Sequence, residues 1–167
     1  MNKQHEFTKR GSTHFLRAVV FGLGAVAIGL CILILPAIFR EWSQAYPDVA
    51  YMRYPLLLIF SLTVIPFFVA LFQTLKLLRY IDTGKAFSDT SVKALKVIKY
   101  CALAFGVLYA VALPAIYHVA NRADAPGVMV IGLVMACAPI AIAVFAAVLQ
   151  KLLQSAIDLK TENDLTV

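Results

Sequence analysis

The side chains able to do chemistry are few and scattered. His5, His14 and His118 lie far apart, whereas a zinc site draws on ligands clustered at short spacings or converging on one cavity. Cys31, Cys101 and Cys137 share no C-x-x-C spacing and fall in or at the edge of apolar runs, where a thiol serves as a small packing group. The nine acidic residues all lie in polar segments, while a carboxylate doing acid–base work needs a protected setting. There is no Gly-x-Ser-x-Gly, no Gly-rich phosphate loop and no dinucleotide fingerprint. The sequence nominates no catalytic residue, no metal site and no cofactor, and an enzyme is not expected.

One charged feature is concentrated. Lys93, Lys96 and Lys99 follow Gly84-Lys85-Ala86-Phe87-Ser88 at spacings of three. Gly84 suits the left-handed residue that ends a helix. Ser88 is placed to cap the next helix, with Phe87 packing on Val92 as a hydrophobic staple. Val92, Leu95 and Ile98 then form an apolar face beside the lysines. Such a stripe can contact anionic headgroups or an acidic partner. The far end of the chain carries the opposite sign in Asp158, Glu162 and Asp164, followed by Leu165 and Val167. These residues are expected to fold back as a lid, with the carboxylates near Lys85, Lys93 or Lys96 and the apolar side chains over Phe87 or Leu95.

The elements that position this feature belong in a membrane. The chain is 62% hydrophobic and 14% charged, far from soluble composition. Four runs, at about 18–39, 54–75, 100–120 and 126–150, contain no Asp, Glu, Lys or Arg. Each matches the roughly 20 residues that a helix needs to cross a hydrocarbon core of about 30 Å. They lack the alternation of barrel strands, so helices are expected. The first run exceeds a signal-peptide core and leads into a poor cleavage context, Ile38-Phe39-Arg40-Glu41-Trp42. It is read as a retained span.

Orientation follows from where the basic residues fall. Lys3, Lys9, Arg10, Arg17, Lys76, Arg79, Lys85, Lys93, Lys96, Lys99, Lys151 and Lys160 lie on one side, against Arg40, Arg53 and Arg122 on the other. Both termini and the 76–99 connection are therefore expected in the cytoplasm. The +6 net charge is accounted for by this asymmetry and gives no argument for nucleic acid.

Within the spans, small residues mark candidate close approaches: Gly22, Ala25 and Gly29 in the first, Gly132, Ala136 and Ala143 in the fourth. The same residues leave a homo-oligomer open. Pro66, Pro114 and Pro139 should bend three of the spans. Trp42, Tyr46, Tyr51 and Tyr54 read as interfacial anchors. Ser61, Thr63 and Tyr109 would line a path if the protein were a small transporter, channel or self-protection protein.

The motif Gly84-Lys85-Ala86-Phe87-Ser88, with Val92 and Leu95 after it, resembles the Gly-x-x-Phe-[Ser/Thr] connection of a family of small four-span bacterial membrane proteins. The ending Glu162-Asn163-Asp164-Leu165-Thr166-Val167 resembles that family's C-terminal signature. The family is described as a domain of unknown function and includes the YoaS-like proteins of bacilli. Its members are often encoded beside a short helix-turn-helix regulator, so the resemblance implies a small cytoplasmic transcription regulator as a partner.

The expectation is an all-α membrane protein: a four-helix transmembrane bundle with proline-kinked helices and a cytoplasmic helical hairpin extension. Residues 1–16 would form a flexible arm, 17–160 the four-span domain and 161–167 a tail. The bilayer and a small cytoplasmic protein are the expected partners. Lys85, Phe87, Lys93, Lys96, Lys99, Asp158, Glu162, Asp164 and Leu165 are the candidate contacts.

Overall fold

The computed structural model describes the backbone of residues 3–165 and the side chains of residues 16–163 other than residue 49. The described residues form helices and short connections, with no strand among them. The helices are α1 (Lys3–Gly29), α2 (Leu35–Ala45), α3 (Arg53–Leu62), α4 (Val64–Asp82), α5 (Asp89–Arg122) and α6 (Pro126–Leu165). A π-helical turn at Leu30–Ile34 joins α1 to α2, and a 3-10 segment at Pro47–Met52 joins α2 to α3. Among the described residues, four stretches are long and apolar enough to cross a membrane: Leu16–Ala45, Ala50–Asp82, Asp89–Arg122 and Pro126–Asn163.

Both interruptions within spans sit just before a proline. Pro66 has no N–H to give the carbonyl of Leu62, and its ring crowds that turn. The second span breaks at Thr63, whose hydroxyl donates to the Phe60 carbonyl at 2.6 Å. Pro36 stands in the same relation to the first span. Leu35 reaches back five residues to the Leu30 carbonyl, the wider spacing of a π-turn. Sequence reading had not singled out Pro36. Pro114 and Pro139 lie inside α5 and α6, each of which runs on as a single helix.

Two ends differ from expectation. The polar stretch assigned to a flexible arm already belongs to α1 from Lys3, and the tail expected after Lys160 continues as helix through Leu165. The costly step of a helix is its nucleus, so extending an established one through Lys, Gln, Glu and Thr needs only ordinary propensity. The Thr161 hydroxyl follows the same ladder, donating to the Ile157 carbonyl at 3.0 Å.

Each span packs mainly on the next in sequence, most extensively α5 on α6. There the seam is made of small residues. Ala120, Ala136, Ala143 and Ala146 are buried, while Ala112 is buried in a cluster with Leu56 of α3. A Cβ at Gly106 would lie 2.8 Å from Ile140 Cγ1, and one at Gly132 would lie 3.0 Å from Ile116 Cγ2. Close approach of this kind lets dispersion hold helices whose alternative neighbour is equally apolar lipid. Gly132, Ala136 and Ala143 therefore face a neighbouring helix as expected.

The first span packs through a different stripe from the one expected. Val20 and Gly24 are buried, and a Cβ at Gly24 would meet Leu71 Cδ2 at 3.0 Å. Gly22 and Ala25 are exposed, and a Cβ at Gly22 or Gly29 would meet nothing within 4 Å. Small residues occur on more than one face of α1, and nothing in their spacing says which face a neighbour takes. The first and fourth spans do not close on each other to a comparable extent, so the array is open along one side.

Candidate functional site: the basic hairpin

The turn between α4 and α5 is closed by its own backbone. Gly84 adopts φ +71°, which only glycine takes without penalty. The Gly84 N–H donates to the Ile81 carbonyl at 3.2 Å and the Lys85 N–H to the Tyr80 carbonyl at 2.9 Å, the paired bonds of a Schellman motif. Ser88 then opens α5 with extended backbone. Its carbonyl accepts from the N–H groups of Ser91 and Val92 at 2.9 and 3.2 Å.

The Ser88 hydroxyl does not make the expected cap to a helix N–H. It donates to the Lys85 carbonyl at 2.8 Å and lies 2.9 Å from the Thr90 hydroxyl. Ser91, fully buried, donates to the same Lys85 carbonyl at 3.3 Å. Two side chains thus converge on the carbonyl of Lys85 and fix the direction of the loop. Ser91 carries this role and was not foreseen; its place one turn after Ser88 was the available signal.

Fixing the loop this way leaves Phe87 out. The expected staple would have buried it on Val92, yet Val92 is buried while Phe87 is 63% exposed. Val92, Ala94 and Leu95 instead turn inward with Leu78 of α4 among the buried residues. On the same hairpin the side chains of Lys85, Lys93 and Lys96 are exposed.

Lys99 leaves this surface. A spacing of three in a helix advances 300°, so each step slips about 60° around the axis and the third lysine has rotated toward α6. Its Nζ donates to Gln150 Oε1 at 3.3 Å and lies 5.0 Å from the Tyr100 ring centroid. Lys76, one face away on α4, sits over the Phe72 ring at 4.7 Å.

Asp158 does not make the contact expected of a lid. Asp158 is exposed and accepts from Gln154 Nε2 at 3.2 Å, one turn earlier in its own helix. Among the described residues it makes no ion pair with Lys85, Lys93 or Lys96. Glu162 is exposed on the same helix. The expected contacts of the side chains of Asp164 and Leu165, and of Val167, lie outside the described residues.

Other polar groups of the spans are used locally. The Thr63 hydroxyl is taken by the Phe60 carbonyl, and Ser61 is exposed at the helix surface. Tyr109 is buried, with its ring stacked on Phe105 at 5.0 Å and edge-on to Phe60 at 5.2 Å. Cys31, Cys101 and Cys137 are free thiols. At the opposite end of the molecule from the hairpin, Trp42 lies edge-on to Phe39 at 6.4 Å. Tyr51 and Tyr54 are exposed there, as interfacial anchors require.

A family model described as "Protein of unknown function (DUF2975)" matches residues 38–167. The chain is 49% identical over 158 residues to a Bacillus subtilis (strain 168) protein called "Uncharacterized membrane protein YoaS". That match covers 95% of this chain and 99% of the relative. No solved structure matches the chain.

Proposed function

Because the chain belongs to the DUF2975 family of membrane proteins, we propose that it is a non-enzymatic docking protein of the bacterial cytoplasmic membrane, holding a small acidic-surfaced cytoplasmic protein on its α4–α5 hairpin. A helix-turn-helix regulator, the partner implied by the resemblance, is the first candidate. The observation that carries the reading is Phe87, 63% exposed on a loop that three hydrogen-bonding serine and glycine positions hold in one conformation. An exposed aromatic on a hairpin that also exposes Lys85, Lys93 and Lys96 has the makeup of a binding anchor with a steering rim. The Lys and Arg distribution supports placing the hairpin and both termini in the cytoplasm. The open face of α1, with Gly22, Ala25 and Gly29, is where a second copy would approach if the protein self-associates.

The test is site-specific photo-crosslinking in cells, with the crosslinking residue at position 87 of the full chain. The reading expects an adduct with one small cytoplasmic protein, while a probe at the exposed lipid-side position 142 captures none. Adducts with lipid alone at position 87 would reduce the basic hairpin to a headgroup contact. Reporter fusions at residue 85 and at both ends should all signal the cytoplasm, and an exterior signal at residue 85 would overturn the reading.

A further inference from the structure

Helix α2 separates two unlike spaces. Ile38, Phe39 and Trp42 border the apolar cleft on the open side of the array, a cavity of about 330 Å³. Pro36, Ala37, Arg40, Glu41 and Gln44 line a second cavity, of about 670 Å³, together with Arg53. Recurrence at steps of three and four gives a helix one apolar face and one polar face in this way. The π-turn at Leu30–Ile34 sets which face points where, since one added residue turns all that follows by about 100°. The two cavities share no lining residue.

The second cavity holds donors that the protein leaves unused. The side chains of Arg40, Glu41 and Gln44 are exposed and make no hydrogen bond or ion pair with a described residue. Arg53 enters from the first turn of α3 and is half-buried. One of its terminal nitrogens reaches the Ser43 hydroxyl at 3.5 Å, and its guanidinium lies 5.7 Å from the Tyr54 ring centroid. Its Nε is buried without a hydrogen-bond partner, and no described carboxylate pairs with the group. A partly desolvated cation without a counter-ion is costly to keep. Two guanidinium groups against the one carboxylate of Glu41 leave a single positive charge to be balanced.

We propose that this polar cavity binds a phosphodiester oxyanion, drawn either from a phospholipid headgroup or from a soluble phosphodiester at the membrane surface. A phosphodiester carries the one negative charge that the cavity lacks. Its two free oxygens suit the fork of a guanidinium, and the Gln44 amide supplies a further donor. Glu41 keeps the site to a monoanion. Trp42, Tyr51 and Tyr54 stand at the same end of the molecule, and such side chains favour the headgroup level of a bilayer, where phosphodiesters are concentrated. The inference is independent of the hairpin, which lies at the other end of the second span.

The experiment is native mass spectrometry of the full chain in mild detergent. Dioleoylphosphatidylglycerol is compared with diglucosyl dioleoylglycerol, which has the same chains and no phosphate. A third probe, glycerophosphoglycerol, has the phosphodiester and no chains. Phosphatidylglycerol should be retained in preference to the glycolipid. Failure of glycerophosphoglycerol to compete would assign the phosphodiester to a lipid headgroup, and competition by it would assign a soluble source. At the energy of one basic side chain near a membrane surface, Arg40→Gln should lower the phosphodiester preference about fivefold. Arg53→Gln should act likewise, and Arg40, being exposed, keeps the test valid if the Arg53 variant does not fold. Glu41→Gln should raise the preference by a similar factor. Arg122→Gln removes a charge at the same end but outside the cavity, and should change nothing. Equal binding with and without phosphate, an undiminished preference in Arg40→Gln, no gain in Glu41→Gln, or an equal loss in Arg122→Gln would overturn the proposal.

Discussion

The Arg17 guanidinium lies 2.6 Å from the Asp82 carboxylate, joining the beginning of the first span to the last turn of the second. The pair closes the first span onto the hairpin at the end where α1 meets α4. Its side chains are 34% and 28% exposed, so solvent screening holds its worth to about 0–1 kcal/mol. Replacing Arg17 with Gln should lower the melting temperature in detergent only slightly, and Asp82→Asn should add nothing to that loss. High salt should remove the difference. Additive losses in the double variant would show that the two residues act separately.

The two interhelical turns invite opposite substitutions. Gly84 has φ +71°, and Asp124, at the α5–α6 turn, has φ +47°. The Ala125 N–H closes that second turn on the Ala120 carbonyl at 3.0 Å, and Pro126 opens α6 at its first position. Gly84→Ala should cost about 1–2 kcal/mol, the penalty of a side chain in the left-handed region. Asp124→Gly should be neutral to stabilising by up to about 1 kcal/mol, since Asp tolerates that region less well than Gly. Thermal denaturation of the two variants checks the sign of each.

Glycines of similar sequence setting should behave differently. At Gly106 a Cβ would be 2.8 Å from Ile140 Cγ1 and 3.3 Å from the Ala136 carbonyl oxygen. Gly106→Ala should destabilise, because overpacking of about 1–3 kcal/mol outweighs a helix-propensity gain of about 1 kcal/mol. Gly22→Ala and Gly29→Ala enter open space and should hold or raise the melting temperature. A loss at Gly29 in detergent would contradict the packing of the first span.

The contrast between those glycines shows what was readable beforehand. Charge-free length identified four spans, and Gly84 identified the hairpin turn, because bilayer thickness and left-handed backbone act on the local sequence. Which stripe of α1 is buried was not readable, since in lipid both faces of a helix are apolar and packing decides between Gly24 and Gly29. The π-turn was missed because Pro36 lies near the end of a run that already looked complete. Lys99 was grouped with Lys93 and Lys96 by spacing alone, although the slip of about 60° per step turns it toward Gln150. The cleft had no signature in the sequence, since it is defined by the absence of closure between spans that are distant in the chain.

In the proposed docking, Phe87 is the anchor by which the hairpin holds a small cytoplasmic protein. The most direct measurement is the affinity of the purified full chain in mild detergent for its helix-turn-helix candidate, compared between the native protein and Phe87→Ser. Burial of that ring on a partner is worth roughly 1.5–3 kcal/mol, so the variant should bind at least about tenfold more weakly. Its melting temperature should be unchanged, because the ring is already exposed. Lys93→Gln with Lys96→Gln should act mainly on the association rate and its salt dependence. Undiminished affinity in a folded Phe87→Ser variant, or no binding by the native chain, would contradict the account.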